Sequence, residues 1–395
     1  MHSAEWTPMI TESGSYKTVQ YTAMGGCRHY RQPFAHLTGS SSAQLSKYWE
    51  RKMYSLVFLQ KRGLKESPFG RSLREASMNE TVFDEPLFAS LKPGLTSFCY
   101  RMLGSIDDAD DAVQETSIRV WQSWSAFRQD SSFQTWVYRI ASNLCLDKLR
   151  QSKRRALPVD LFDPAVAIVE PRDTLPDSAW IWPSPDFGGN PEDRLIRSET
   201  LQLCFIALLQ TLPPRQRAVL ILKDVFEWSS KQIAEMLAMS PAAVNSALQR
   251  ARERMDRAKL RSDELSSMDV QPDPQLLSRY VEAFEQFDIA ALVALFHEEG
   301  CMSMPPFEMW IRGKEDLSAF YSLTRWHCEG SRFVPITVNG GYPALAQYMP
   351  GKEGSGLVPW GIHVIETKRD QILHVQNFIH TPLFSRFGLP ERIEQ

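Results

Sequence analysis

A short pair of predicted helices carries the residue types best suited to contact a nucleic acid. Ser229 is followed by Gln232 at the spacing of a capping box, which opens a helix by satisfying its first backbone N–H groups. Ser240 has the side chain of a helix cap, and Pro241 stands at a first helical position, where its missing N–H costs nothing. Two helices joined by so short a turn predict a helix-turn-helix.

The second predicted helix has an apolar side and a polar side. Val244 and Leu248 lie four residues apart and anchor it inward. Small residues on the other side allow close approach to a DNA groove, Asn and Gln amides can pair with adenine, and arginines can contact phosphates. The candidate DNA-binding residues are Ala242, Ala243, Asn245, Ser246, Gln249, Arg250 and Arg252. An ordinary helical hairpin with a solvated basic tail is the alternative.

An acidic segment and an aromatic segment follow one another earlier in the chain. The aspartates between 107 and 111 fit a helix start, where the helix dipole favours negative charge, and solvated surface is the alternative. Phe133 and Trp136 lie among basic and polar residues, as in platforms where single-strand bases stack on aromatic rings. These rings could instead fill the core, which we expect for Trp136. Apolar residues recur at helical spacing and include Val113, Ile118, Val120 and Trp121.

Length and composition limit the class of protein. A chain of 395 residues predicts two or three domains. The net charge of -3 excludes a uniformly basic binder of polyanions, although not a local basic stripe. The six cysteines lie far apart without a CxxC motif, so neither a disulfide framework nor a zinc site is indicated. No apolar run approaches the length of a membrane span. We therefore expect a cytoplasmic protein without metal, cofactor or membrane partner.

Changes in composition set the predicted domain boundaries. Seven prolines between 158 and 191 exclude long helices, so this acidic stretch is predicted to be a linker. Met78 opens the first well-patterned segment, and we hypothesise that it is the true start. The predicted parts are a mostly disordered or loosely helical extension (1–77), a helical block (78–155), the linker (156–191), a second helical block (192–262), a short linker (263–274) and an α+β block (275–390).

The order of these motifs resembles a known family. Segments 108–116 and 133–147 closely resemble the sigma-two domain of extracytoplasmic-function (ECF) sigma factors. Segment 212–220 and the helix-turn-helix resemble their sigma-four domain. The last block, with an amphipathic helix over 276–296 and alternating strands after it, is similar to the NTF2-like (SnoaL-type) extension of one sigma subgroup. The resemblance implies two all-α helical domains followed by an α+β, cone-shaped domain.

The resemblance also implies partners and roles. It implies binding to core RNA polymerase, through the beta-prime clamp helices and the beta flap, and to promoter DNA. Docking on the clamp helices would use Asp111, Gln114 and Glu115. Melting and capture of the minus-ten element would use Phe133, Asn143, Asp147, Arg150 and Arg154, and residues 242–250 would read the minus-35 element. Asn245 and Ala247 stand where common members carry basic residues, so the promoter sequence stays open. The linker would mimic nucleic acid in the polymerase channel or act as a solvated spacer.

The role of the C-terminal block is open between an enzyme and a regulator. An isomerase or hydrolase fused to a DNA-binding module needs a base and an acid in an apolar cavity, and no acid matches a known base. A one-component DNA-binding repressor is a further alternative. A regulatory domain that packs on the helical domains or the linker, with a possible small ligand, is the interpretation that we favour. The candidate pocket residues are His297, Trp310, Tyr321, Trp326, Trp360, His363, Asn377 and His380.

Overall fold

The computed structural model describes most of the chain in two units. It describes residues 8–13, 16–23, 26–33, 85–127, 131–166, 174–185, 203–261, 271–351 and 356–394. The two compact units of the chain are Met1–Glu80 and Thr81–Gln395. In the described part, no helix is long and apolar enough to cross a bilayer.

The first unit contains a three-stranded antiparallel sheet. Its strands pair in chain order and are β1 (Pro8–Ser13), β2 (Tyr16–Ala23) and β3 (Gly26–Pro33). The structure differs here from the expected disorder or loose helix. The physical reason is that the middle strand is rich in Thr, Val and Tyr, whose side chains favour extended backbone. Met78 lies outside the described residues, so the hypothesis about the start remains a prediction.

The first helical module consists of three helices with well-defined ends. Gly104, at a φ of +69°, follows the first helix, and its N–H bonds to the carbonyl of Tyr100. Ser105 and Ser132 cap the second and third helices, because their side chains accept backbone N–H groups of the first turn. The helices are α1 (Glu85–Leu103), α2 (Ile106–Gln122) and α3 (Phe133–Gln151).

The second helical module contains the predicted helix-turn-helix. Ser229 and Gln232 form a reciprocal capping box, and the Ser240 hydroxyl accepts the N–H of Ala243, so the predicted caps are confirmed. Ala238, in the left-handed region, ends the first helix of the pair. The helices are α4 (Leu203–Gln210), α5 (Pro214–Leu220) with a π-helical turn after it (Ile221–Val225), α6 (Ser230–Leu237) and α7 (Pro241–Arg261).

The C-terminal domain is a six-stranded sheet with flanking helices, in agreement with the predicted α+β class. The strand order is β5-β4-β9-β8-β7-β6, antiparallel apart from the β4–β9 pair. The expected single helix over 276–296 is two helices, because Asp288 caps a new one. The elements are α8 (Pro274–Glu285), α9 (Ile289–Ala294), β4 (Phe296–Ser303), β5 (Trp310–Arg312), α10 (Lys314–Leu323), α11 (Arg325–Cys328), β6 (Arg332–Val338), β7 (Tyr342–Pro350), β8 (Leu357–Lys368), β9 (Gln371–Phe378) and α12 (Pro382–Arg386).

The two faces of this sheet belong to two different cores. Successive side chains of a strand point to opposite faces. Leu345, Ile365 and Val375 face α8–α10 and form the inner face with them. Val364 and Phe378 lie on the other, outer face and join one hydrophobic core with the helical modules and the linker. The outer face is therefore a docking surface for the rest of this unit.

The described parts of the linker pack against this core. Trp180 and Ile181 are fully buried, and Trp182 is nearly so. Burying an aliphatic or aromatic side chain of this kind is worth about 1.5–3 kcal/mol. In this arrangement, residues 180–184 are therefore not a solvated spacer.

Candidate DNA and polymerase interfaces

The recognition helix α7 presents most of its predicted DNA-binding residues to solvent. Ala242, Asn245, Ser246, Gln249 and Arg250 are exposed, whereas Ala243 is half-buried. The opposite side of α7 is buried and is formed by Val244, Ala247, Leu248 and Ala251. The outward face is thus small and polar at its start and basic further on.

Three residues of this face already have polar partners, and the first is Gln249, whose side-chain amide donates to the Glu253 carboxylate at 3.0 Å. Asn245 accepts a hydrogen bond from the Ser230 hydroxyl at 2.9 Å. Arg252 is exposed and makes two hydrogen bonds to the Asp224 carboxylate, at 3.0 and 2.6 Å. The hydrogen bond and charge of Asp224 raise the pKa of Arg252. These two bonds leave three N–H donors of the Arg252 guanidinium for a phosphate.

A second exposed polar face runs along α3 and beyond its end. Asn143, Asp147, Arg150 and Arg154 are exposed at spacings of four, three and four residues. Arg150 donates to Asp147 at 2.6 Å. Phe133 does not belong to this face. It is half-buried in a cluster of four rings with Trp124, Phe127 and Trp136, so it supports the core alternative, as Trp136 does.

The acidic helix α2 carries a third exposed face. Asp111 and Gln114 are exposed, and Asp111 lies 3.4 Å from the ammonium of Lys148. Glu115 is half-buried and pairs with Arg119 at 2.8 Å. The candidate polymerase-contacting residues therefore share one exposed region of the helix.

Two large apolar side chains extend this face and were not predicted. Ile118 is 43% and Trp121 is 65% exposed, whereas Val113 and Val120 of the same helix are buried. The helical spacing of these four side chains predicted the helix but did not separate its exposed side from its buried side. The available signal was the register of Ile118 and Trp121, four and seven residues after Gln114, which places them on its side of α2. Ile118 and Trp121 add exposed apolar surface beside the acidic residues of α2.

The two helical modules are in direct contact through α3 and α6. The Ser142 hydroxyl lies 3.9 Å from the Met236 sulfur, and Arg139 lies 3.7 Å from Glu235. The Tyr138 ring packs on Trp228 with 5.1 Å between centroids. The helix with the candidate minus-ten face therefore packs against the first helix of the helix-turn-helix.

A buried arginine strengthens this contact between the modules. Arg217 in α5 is 3% exposed, and its guanidinium donates to the backbone carbonyls of Met102, Gln210 and Leu212. Burial lowers the pKa of Arg217 to about 10, so the side chain stays protonated near neutral pH. Gln210 in turn donates to the carbonyl of Arg101 at 3.2 Å.

The linker is held between the first module and a turn of the C-terminal domain. The N–H of Asn339 donates to the Ser184 carbonyl and its side-chain oxygen accepts the Ser184 N–H, both at 2.7 Å. The Tyr100 hydroxyl donates to the carbonyl of Trp182 at 2.8 Å. Asn339 has a φ of +49°, which Asn tolerates better than most residues. The turn that contains Asn339 therefore contacts the linker directly.

Arginines from two other segments bind the acidic start of α2. Arg386, in the last helix of the C-terminal domain, pairs with Asp107 and Asp110. Arg155, at the start of the linker, pairs with Asp108 at 2.7 Å. Partial burial raises the pKa of Asp108, whereas the positive charges and hydrogen bonds of Arg155 and Lys148 lower it. Together the two cations outweigh burial, so the pKa of Asp108 lies below its ordinary value. The C-terminal domain is thus bonded to the candidate polymerase helix.

The inner face of the sheet contains a chain of hydrogen bonds that runs from Tyr280 through His363 and Gln347 to Ser331. His363 Nε2 lies 2.9 Å from Gln347 Oε1, which only accepts, so the ring carries its proton on Nε2. Its Nδ1 then accepts the Tyr280 hydroxyl at 2.9 Å, and Gln347 donates to Ser331. Burial lowers the pKa of His363 to about 3. Both ring nitrogens are engaged, which is the pattern of a satisfied core histidine.

The predicted pocket residues do not form one site. Tyr321 and His363 both pack on Phe284, and Asn377 lies opposite His363 in the β8–β9 register. Trp310 instead donates from its indole to the linker carbonyl of Phe162 at 2.8 Å. Trp360 is half-buried in β8, His297 accepts a backbone N–H, and His380 packs on Trp182. The side chain of Trp326 lies outside the described residues. Within the described part, no group of His, Cys, Asp and Glu could hold a metal ion.

The outer face carries a buried ionisable pair that was not predicted. His374 Nε2 lies 2.9 Å from the Ser303 hydroxyl, and its Nδ1 lies 3.4 Å from Glu366. Burial lowers the pKa of His374, but Cys301 and Glu366 beside it raise it, and the balance is a pKa of about 10. His374 is therefore a protonated, buried partner of Glu366.

A helix-turn-helix, a second module with a polar-basic helix and a sheet domain that covers both define a multi-module DNA-binding regulator. Family profiles match sigma-70 region 2 over residues 87–155, sigma-70 region 4 over 202–255 and the nuclear transport factor 2 (NTF2) domain over 274–333. The chain is 39% identical over 312 residues to the ECF RNA polymerase sigma factor SigG of Mycobacterium tuberculosis, covering 76% of this chain and 82% of that one.

A second relative matches over a similar share of the chain. The ECF RNA polymerase sigma factor SigJ of Mycobacterium tuberculosis is 26% identical over 324 residues, covering 78% of this chain and 95% of that one. The crystal structure of SigJ matches with a TM-score of 0.50 at 21% identity, over 77% of this chain and 99% of that chain, which supports the fold.

The chain belongs to the ECF sigma factors and carries a C-terminal NTF2-like domain. The predicted family and fold class are confirmed. As a sigma factor, the protein binds RNA polymerase and promoter DNA and directs transcription initiation, so it is a regulatory factor.

Proposed function

We propose that the sigma factor exists here in a closed form, in which its two DNA-reading surfaces cannot act together. In the open form, α2 contacts the beta-prime clamp helices, α3 melts the minus-ten element, α7 reads the minus-35 element and the sigma-four module binds the beta flap. The NTF2-like domain controls the change between the two forms. These steps take place in the cytoplasm, where polymerase and promoter are found.

The contact between α3 and α6 is the observation that carries this proposal. Promoter elements at minus 35 and minus 10 are about 25 base pairs apart, or about 85 Å at about 3.4 Å per base pair. Ser142 and Met236 lie 3.9 Å apart. Modules in van der Waals contact cannot reach two elements so far apart on a straight duplex. Initiation therefore requires the modules to separate.

Separation must replace specific interactions with those of the polymerase complex. The linker residues Trp180 and Ile181 would leave their buried positions, and Arg217 would lose its hydrogen bond to the Met102 carbonyl. Each buried side chain costs about 1.5–3 kcal/mol to expose, so opening in isolation is unfavourable. Polymerase and promoter shift the equilibrium because they bind only the open form.

The site residues are proposed to act through their exposed faces. On α3, Asn143 and Asp147 contact unpaired bases, while Arg150 and Arg154 contact phosphates. On α7, Ala242, Ala243, Asn245, Ser246 and Gln249 lie at base edges, and Arg250 and Arg252 contact phosphates. On α2, the contact residues are Asp111, Gln114, Glu115, Ile118 and Trp121.

The NTF2-like domain is proposed to regulate and not to catalyse. His363 has both ring nitrogens in hydrogen bonds, and a pKa of about 3 makes it a poor base near neutral pH. The domain contacts all three other parts of the unit through Arg386, Asn339 and its outer sheet face. The NTF2-like domain thereby holds the two helical modules and the linker together.

A reversible cross-link tests the closed form in the full chain. Cysteines introduced as Ser142→Cys and Met236→Cys, with Cys145→Ser to remove the neighbouring thiol, would join α3 to α6 on oxidation. We expect the oxidised protein to give no run-off transcript with core polymerase, and reduction to restore it. The single variant Ser142→Cys with Cys145→Ser is the matched control. Equal transcript yields from the oxidised and reduced double-cysteine protein would refute the requirement for separation.

A further inference from the structure

A cleft lies where the sigma-two module, the linker and the NTF2-like domain meet. Its volume is about 360 Å³, within the range of small-molecule sites. The cleft is lined by residues of α1, α2, the linker and α12, among them Lys92, Thr96, Asp110, Pro185 and Arg386. Its walls thus come from three separate parts of the chain.

The charges in this cleft are unequally paired. Asp110 is neutralised by Arg386, which also binds Asp107. A guanidinium has five N–H donors, and these two pairs use two of them, which leaves three. Lys92 is exposed and has no ion-pair partner among the described residues. The cleft therefore offers the unpaired ammonium of Lys92 and the unused guanidinium donors of Arg386, while the Asp110 carboxylate in its wall is already paired with Arg386.

We propose that this cleft binds a small anion with phosphate or carboxylate groups, held between Lys92 and Arg386. Ammonium and guanidinium groups form strong charge-assisted hydrogen bonds to both kinds of group. Thr96 and Pro185 line the same cleft as the two cations. The anion would replace solvent at Lys92 and would leave the pairs of Arg386 with Asp107 and Asp110 in place.

The location of the cleft determines what the anion does. Lys92 belongs to the sigma-two module and Arg386 to the NTF2-like domain, so the site is complete only while the two are packed together. A ligand that binds one of two arrangements stabilises that arrangement. The anion therefore favours the closed form and opposes polymerase binding, an effect that rests on the proposed function.

Binding is tested first on the full chain without polymerase. The probes are sodium phosphate and sodium citrate, each compared with sodium chloride of the same ionic strength, and the readout is the thermal unfolding midpoint. We expect a saturable rise with at least one probe, and the effective probe identifies phosphate or carboxylate as the recognised group. Lys92→Gln should weaken binding about tenfold or more, because a charge-assisted hydrogen bond is lost. Lys368→Gln, at the far end of β8, should match the wild type.

Two results of this titration would overturn the site. One is a midpoint that follows ionic strength alone with both probes. The other is a Lys92→Gln variant that binds as tightly as the wild type.

The second measurement is the affinity of the full chain for core polymerase, with and without the effective probe. We expect the probe to weaken polymerase binding by the wild type and to leave Lys92→Gln unchanged. Unchanged affinity in a wild type that binds the probe would overturn the link to the closed form. A protein that binds the anion but never binds core polymerase would instead contradict the proposed function.

Discussion

Arg217 of the sigma-four module donates a hydrogen bond to the backbone carbonyl of Met102 in the sigma-two module, 115 residues away in the chain. The same guanidinium bonds to Gln210 and Leu212 within its own module. One buried side chain therefore organises a module and joins it to its neighbour. Its removal affects both stability and the closed form.

Arg217→Ala is expected to destabilise the protein by about 3 kcal/mol or more, because several buried carbonyls lose their donor. Arg217→Lys keeps the charge but not the planar fork and should recover only part of the loss. Urea denaturation measures the effect. Arg215→Ala, exposed on the same helix, is the matched control and should stay within about 0.5 kcal/mol of the wild type. Equal losses for both alanine variants would contradict the role of Arg217.

Trp121→Ala is expected to weaken binding to core polymerase by about 30-fold without loss of stability. An exposed Trp at the centre of an interface typically contributes 2 kcal/mol or more, and at 65% exposure it contributes little to the fold. Competition binding to core polymerase measures the effect. Leu161→Gln changes another exposed apolar residue, 45% exposed in the linker, and should leave the affinity unchanged. If Trp121→Ala binds like the wild type, Trp121 does not belong to the polymerase interface.

Arg386→Gln is expected to bind core polymerase about two- to 30-fold more tightly than the wild type. The variant loses two partly exposed ion pairs, each worth about 0.2–1 kcal/mol, and frees Asp107 and Asp110 on α2. The advantage should shrink at high salt, which already screens these pairs. Arg392→Gln, exposed six residues further on, is the control. If Arg386→Gln binds core polymerase as tightly as the wild type at both low and high salt, the ion pairs of Arg386 do not oppose polymerase binding.

His374 is expected to make the protein less stable as the pH rises. Its folded pKa of about 10 exceeds the unfolded value of about 6.5, so its contribution is complete below pH 6.5 and declines towards pH 10. The titratable and polar groups around His374 are its partner Glu366 together with Ser303, Cys301, Cys204 and Asp160. Urea midpoints at pH 6.5 and 8.5 should differ more in the wild type than in His374→Gln. The same pH dependence in both proteins would rule out His374 as its source.

His363, on the opposite face of the sheet, is expected to make the protein less stable as the pH falls. Its folded pKa of about 3 lies below the unfolded value, so its contribution is present above pH 6.5 and is lost as the pH falls towards 3. His363→Leu should cost about 2–4 kcal/mol at pH 7, since Tyr280 and Gln347 lose their partner. The variant should also be less acid-sensitive between pH 6.5 and 4.5. A stable variant with unchanged acid sensitivity would show that the hydrogen-bond chain contributes nothing.

Local features of the fold were predictable because neighbouring residues decide them. Ser229, Gln232 and Ser240 cap helices whose backbone lies within three residues of their side chains. The division of 276–296 into two helices was missed, although Asp288 is a cap residue, because the apolar spacing continues through it. The assigned roles of the DNA- and polymerase-contacting residues remain predictions.

The sequence by itself determined the family, the helix-turn-helix and the order of the three domains, since each depends on short motifs at fixed spacing. The tertiary structure alone decided that Ile118 and Trp121 are exposed and that Asn339 binds the linker. It also decided that Arg386 meets Asp107, 279 residues away. Partners so distant in the chain are selected when whole surfaces pack together, and helical or strand periodicity identifies an apolar face without identifying what covers it.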